Sequence, residues 1–134
     1  MLAAGILLAG MAAGCGNSKN KEDQEAYRQI GINNLEQGKY DDAVDASQKA
    51  LDQSLATIGA EELDICYYKA QAQYMAGDTK GALETYTALI DYDKKNADAY
   101  YLRGSLYLLE GEDKKALADY ASAVENDDTN YDLY

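Results

Sequence analysis

The chain has 134 residues, enough for one domain, with 24 acidic against 12 basic side chains and a formal net charge of −12. The cations are few and scattered, which excludes a phosphate-reading surface and so a nucleic-acid partner, and the absence of His removes the commonest general base and metal ligand. With no Pro and many Ala, Leu, Glu, Lys and Gln, the chain is expected to be all-α.

The N-terminus comes first. Leu2–Gly14 reads LAAGILLAGMAAG. A run this short cannot span a bilayer as a helix, which takes about 20 residues. It does have the length of the apolar region of a secretory signal. The run ends in Ala12-Ala13-Gly14-Cys15, and the chain turns polar from Gly16. Small residues directly before a cysteine resemble the lipobox of bacterial lipoproteins. The resemblance implies that Cys15 is lipidated and becomes the new N-terminus. Residues 1–14 would then be removed, and 16–23 would form a polar linker. Ala12 stands where the family usually has Leu, and Met1-Leu2 lacks the usual Lys or Arg. An uncleaved apolar anchor and a helix packed on the domain are the alternatives. An anionic membrane surface repels so acidic a domain, so membrane attachment would have to come through the lipid.

Beyond the linker, helices are expected at about 22–37, 40–55, 61–76, 79–92, 96–110 and 113–126. They recur in a pattern. Gly38, Gly77 and Gly111 are 39 and 34 residues apart. The same two intervals join Gly31, Ala70 and Gly104; Ala43, Ala82 and Ala116; and Tyr27, Cys66 and Tyr100. Such periodicity marks stacked supersecondary units. A glycine just past a helix end takes the left-handed conformation that stops the helix. Asp78 and Asp113 follow as expected N-caps. The small residues Gly31, Ala70 and Gly104 sit mid-helix, where close approach of Ala43, Ala82 and Ala116 offsets the poor helix propensity of glycine. Tyr86 and Tyr120 are expected to fill the space between units, where the first unit has Ser47. Extra residues near 55–60 lengthen a helix or a loop.

Asn96–Asp128, NADAYYLRGSLYLLEGEDKKALADYASAVENDD, resembles a tetratricopeptide repeat at Tyr100, Gly104, Tyr107, Gly111, Ala116, Tyr120 and Ala123. Ala26–Leu51 and Ile65–Ile90 resemble it as earlier copies. The resemblance implies a right-handed superhelical solenoid of three helical hairpins over residues 24–130, at 24–57, 63–96 and 97–130. Residues 131–134 would begin a fourth. The family's terminal proline is replaced by Leu55, Lys94 and Asp128.

The family's geometry also implies a concave groove lined by the first helix of each unit. Its residues here would be Arg28, Ile32 and Leu35, then Tyr67, Gln71 and Tyr74, then Tyr101, Ser105 and Leu108. Glu25, Asp64 and Asp98 would form an acidic edge. Tyrosines on an apolar floor suit peptide recognition; packing against an adjacent unit is the alternative. Some members of the family clamp a C-terminal carboxylate with Lys, Arg and Asn. The corresponding positions are Arg28, Ile32, Tyr68, Asp98 and Leu102, of which only Arg28 could serve, so that subtype is not expected.

The carboxylates are expected on exposed faces and turns, and Cys66 in packing. Neither Asp91, Asp93 and Asn96 nor Asp128, Asn130 and Asp132 has the Gly and closing Glu of a calcium loop. No catalytic residue, metal site or cofactor is expected, and the chain is not expected to be an enzyme. The expected function is a lipid-anchored scaffold on the extracytoplasmic face of a bacterial cell membrane, binding a protein or peptide. An accessory structural subunit of a cell-envelope assembly and the N-terminal module of a larger enzyme are the alternatives.

Overall fold

A computed structural model describes residues 15–54 and 58–127. The signal-like run at 1–14 and the start of a further repeat at 131–134 lie outside the described residues. Six helices follow one another: α1 (Cys15–Glu36), α2 (Tyr40–Asp52), α3 (Ala60–Met75), α4 (Thr79–Tyr92), α5 (Ala97–Leu109) and α6 (Asp113–Asn126). They form three antiparallel hairpins, with α3 packed on α2 and also touching α1, and α5 packed on α4. The result is an all-α solenoid.

Each hairpin turns in the same way. Gly38, Gly77 and Gly111 have φ of +74, +89 and +78°. In the middle hairpin the Gly77 N–H donates to the Tyr74 carbonyl at 3.0 Å, and the Asp78 N–H to that of Gln73 at 2.8 Å. The same pair of bonds closes α1 and α5. These bonds satisfy carbonyls that the end of a helix would otherwise leave unpaired. A Cβ at Gly77 would meet nothing within 4 Å, so its only penalty is the left-handed backbone. Gly77→Ala should therefore lower stability by about 1 kcal/mol with unchanged far-UV circular dichroism, as read by urea denaturation.

The caps differ between hairpins. The Asp78 carboxylate accepts from the Gly81 N–H at 2.9 Å, and the Asn96 side chain accepts from the Ala99 N–H at 3.1 Å. At α6 the N-cap is Glu112, with no side-chain bond, and Asp113 is the first helical residue. The expected cap at Asp113 is thus displaced by one position. Its charge still suits the positive end of the helix dipole.

Two boundaries depart from expectation. Helix α1 begins at Cys15, so residues 16–23, expected as a linker, lie in its first turns. The stretch Lys19–Glu25 contains no breaker and consists largely of good helix formers, so nothing stops the helix there. Helix α2 ends at Asp52, short of the expected 55, and α3 begins at Ala60. Glu62 ties the start of α3 to the first hairpin. Its carboxylate accepts from the Gly59 N–H at 2.8 Å, the Gln24 amide at 3.0 Å and the Ser54 hydroxyl at 3.3 Å.

Burial pushes the Glu62 carboxyl up, but bonds from Gln24, Gly59 and Ser54 outweigh it and hold the group below its ordinary value. A depressed folded pKa stabilises above the unfolded pKa, and the contribution is lost as pH falls through the lowered value. Glu62→Gln should therefore lower the denaturant midpoint at neutral pH, and the gap to the parent should close in acid.

The helices cross closely where the small residues lie. A Cβ on Gly104 would sit 3.0 Å from the Asp119 Cβ and 3.2 Å from the Ala116 carbonyl oxygen. Ala70 and Ala82 are fully buried at the corresponding crossing. A core cluster of buried residues lies between the second and third hairpins. Tyr86, Leu89 and Ile90 of α4 meet Ala70 of α3 and Ala99 and Leu106 of α5 there.

Candidate functional site

The residues expected to line the groove divide into those the fold uses internally and those it leaves open. Arg28 belongs to the first group. Its Nε donates to Asp64 at 2.8 Å, Glu25 lies 3.3 Å from another guanidinium nitrogen, and the Tyr68 ring lies beneath it at 5.6 Å. The bond to Asp64 raises its pKa, so Arg28 is charged but already matched. The only cation that could have clamped a carboxylate is therefore neutralised from two sides.

Tyr67 also serves packing. Its hydroxyl donates to the Asn96 Oδ1 at 2.9 Å, the same oxygen that caps α5, and its ring lies 6.5 Å from that of Tyr86. Burial pushes the Tyr67 hydroxyl up, the Asn96 bond pulling against it, so it stays protonated as a donor. Tyr74 packs against the core cluster. The Ser105 hydroxyl donates to the Tyr101 carbonyl at 2.9 Å and accepts from Tyr120 at 3.1 Å. Ile32 and Leu35 are half-buried. Gln71, Tyr101 and Leu108 are exposed, Tyr101 by 58% and Leu108 by 52%.

Two cavities collect part of this set. One, of 590 Å³, brings Tyr67 together with Leu63, Asp64 and Asp98. The other, of 540 Å³, holds Tyr101 and Tyr120 with Val124. They share Ala97, Asp98 and Asp127, so they adjoin at the N-terminus of α5. Arg28, Ile32, Leu35, Gln71, Tyr74, Ser105 and Leu108 line neither of the two. The lining offers tyrosine rings, aliphatic carbons and carboxylates, which suits binding of a chain segment.

Burial pushes the Cys66 thiol up, with Glu62 adding to the shift and Lys69 opposing it. That is the setting of a packing thiol rather than a nucleophile. Among the described residues, no group of three His, Cys, Asp or Glu could hold a metal ion.

One expectation about the carboxylates is corrected. Asp119 is not on an exposed face; it is 5% exposed. It accepts two bonds of 2.8 Å from Arg103, whose third nitrogen donates to Thr87 at 3.2 Å. The Tyr100 and Tyr107 rings lie 5.9 and 5.8 Å from the guanidinium. The bond to Asp119 raises the Arg103 pKa. Asn96 and Arg103 were both missed as tie points. Asn96 could have been read as an N-cap just before α5, but nothing local marks the partner of Arg103.

The repeated turn, the small residues at each crossing and the stacked hairpins now have a counterpart among known families. A tetratricopeptide repeat family model matches residues 28–91 and again 67–131. The chain belongs to the tetratricopeptide repeat family. A search of curated proteins finds no match.

Among solved structures, this tetratricopeptide repeat chain is similar to the type III secretion translocator chaperone SycD of Yersinia enterocolitica. That match has 17% identity and a TM-score of 0.71, covering 92% of this chain and 88% of that one. PcrH, solved in complex with the chaperone binding region of PopB, matches with 18% identity and a TM-score of 0.67, over 89% of this chain and 86% of that one. The first tetratricopeptide domain of Spaghetti (RPAP3), solved bound to the HSP90 peptide SRMEEVD, matches with 20% identity and a TM-score of 0.66, over 83% and 84%. At such identities the likeness concerns the fold.

Proposed function

We propose that this chain is a lipid-anchored, extracytoplasmic scaffold on a bacterial cell membrane, and that it binds a protein or peptide segment across the first helices of its hairpins. The observation that carries the reading is the pair of adjoining, tyrosine-lined cavities at the N-terminus of α5, beside the exposed Tyr101. Large amphipathic rings that need little ordering are good anchors for a chain segment. The similar structures named above include two solved with bound protein or peptide segments, which agrees with a binding role and not with catalysis. The apolar run before Cys15 supports the anchor.

The test is a crosslinking pull-down from membranes with parent and Gln71→Arg, Tyr101→Ser chains. Both positions are exposed, so the variant should keep its helical spectrum. The variant should lose the crosslinked partner by at least about tenfold, a difference of 1.4 kcal/mol. Retention of every partner would rule out this face. Tyr67→Ala is a poor choice, because it would also remove the bond that holds Asn96, the cap of α5, and the ring contact with Tyr86. The anchor is tested separately by mass spectrometry of the mature N-terminus, where an unmodified Cys15 would end that part of the reading.

A second reading, an accessory subunit of an envelope assembly, draws on Leu109 and Leu117, which are 66% and 68% exposed. Stability that rises with protein concentration would favour it.

A further inference from the structure

The second helices of the hairpins stand apart. Among the described residues, no Cα of α2 comes within 8 Å of α4, and none of α4 within 8 Å of α6. Each gap is floored by the first helix of the later hairpin. The two gaps are built from the same repeat columns, yet they are filled differently.

Between α4 and α6 the floor carries Tyr100, Arg103 and Tyr107. Arg103 holds both walls at once, through Thr87 of α4 and Asp119 of α6. Lys115 lies 5.4 Å over the Tyr107 ring and covers it. Between α2 and α4 the same columns carry Cys66, Lys69 and Gln73. Lys69 donates to Gln48 of α2 at 2.8 Å. Thr85, in the column of Asp119, donates to Gln73 at 2.7 Å instead of meeting a cation. Gly81 stands in the column of Lys115, so no lysine reaches over the floor there, and the Asp78 carboxylate and the Gln73 amide lie against Gly81 instead.

The first gap therefore stays open as a trough of two joined cavities, 470 and 460 Å³, which share Lys69 and Gln73. Each is within the range of ligand pockets, about 300–1,000 Å³. From Glu62 to Gln73 the floor runs about 16 Å along α3, the span of about five extended residues. Its ends are chemically distinct. Leu51, Leu89 and Tyr92 line one. At the other, Asp45 is paired with Lys49 at 2.8 Å and Asp78 accepts from the Gly81 N–H at 2.9 Å, which leaves the Asp41 and Asp78 charges against one lining cation, Lys69.

We propose that this trough binds a short peptide segment of a partner protein, with an apolar side chain between Leu51 and Leu89 and a Lys or Arg side chain toward Asp41 and Asp78. An extended peptide matches the length and puts one side chain at each end. A cationic end matches the local excess of carboxylates. The stripe Glu62, Cys66, Lys69 and Gln73 lies on the side of α3 away from Tyr67, Gln71 and Tyr74, so this surface is separate from the one proposed above.

The probe is an array of acetylated pentapeptides whose first and fifth positions are varied over all residue types, incubated with the full chain carrying Cys15→Ser. Signal should concentrate on peptides with an apolar residue at one end and Lys or Arg at the other. The best pentapeptide should slow alkylation of Cys66 by N-ethylmaleimide at least about fivefold, a difference near 1 kcal/mol. Lys69→Arg with Thr85→Asp, which copies the bridged gap, should abolish both signals. Asp41→Lys changes an exposed side chain, so it tests the charge without threatening the fold. It should weaken basic peptides and spare neutral ones. The Gln71→Arg, Tyr101→Ser chain should bind the array as the parent does. An array without end preference, a preference for acidic ends, or a preference untouched by Asp41→Lys would overturn the proposal. Loss in the Gln71→Arg, Tyr101→Ser chain would move the binding to the other face.

Discussion

Asp119→Ala should destabilise the chain by about 3 kcal/mol, a drop of roughly 10 °C in melting temperature for a domain of this size. Asp119 holds Arg103 in place with two bonds of 2.8 Å, and Arg103 in turn ties α5 to both α4 and α6. The pair is largely shielded, with 17% and 7% of the two side chains exposed. Removing the carboxylate leaves a guanidinium between two tyrosine rings without its counter-ion. That is far worse than never having built the pair. Arg103→Met with Asp119→Ala should therefore recover much of the loss, because an apolar pair of similar bulk desolvates at little penalty. Thermal and urea unfolding of the two single variants and the double variant form the cycle. A double variant as unstable as the sum of the singles would show that the bond contributes nothing.

Tyr86→Ala should lower stability by about 3–4 kcal/mol, the range for deleting a buried aromatic ring. Tyr86 is 5% exposed and lies in the cluster that joins the second hairpin to Ala99 and Leu106 of the third. Tyr67 would also lose its ring partner. A solenoid is stabilised by contacts between neighbouring units, so the damage should be local. Amide exchange should accelerate in α3 to α6, while α1 and α2 keep more of their protection. Equal loss over all six helices would mean that the array unfolds as one block, and that the Tyr86 cluster is not a boundary. The first hairpin has Ser47 in the same column, buried within 3.0 Å of where a Gly31 Cβ would lie. Close approach replaces ring packing there.

Much of the fold was legible in single columns of the sequence. Gly38, Gly77 and Gly111 stop helices through backbone geometry that glycine adopts readily, so their meaning is local. Gly31, Ala70 and Gly104 signalled close crossings because only a facing helix explains a small residue at that depth. The start of α1 was misplaced because polar helix formers carry no apolar stripe to betray them. The site was less legible. Tyr67, Tyr74 and Tyr101 occupy equivalent faces, but only Tyr101 is exposed. Tyr67 is drawn inward by Asn96, a residue 29 positions away.

The sequence by itself determined the hairpin count, the turns, the family and the sign of the surface charge. Each depends on local backbone preference or on a composition that folding cannot change. Only the tertiary structure decided which charges are spent and which gaps are open. Arg28 is matched by Asp64, 36 residues on, and Arg103 by Asp119, 16 residues on. Helical periodicity assigns a residue to a face but not to a partner on another helix. The two outer gaps share their columns, and a few side chains meeting across three helices close one and leave the other open.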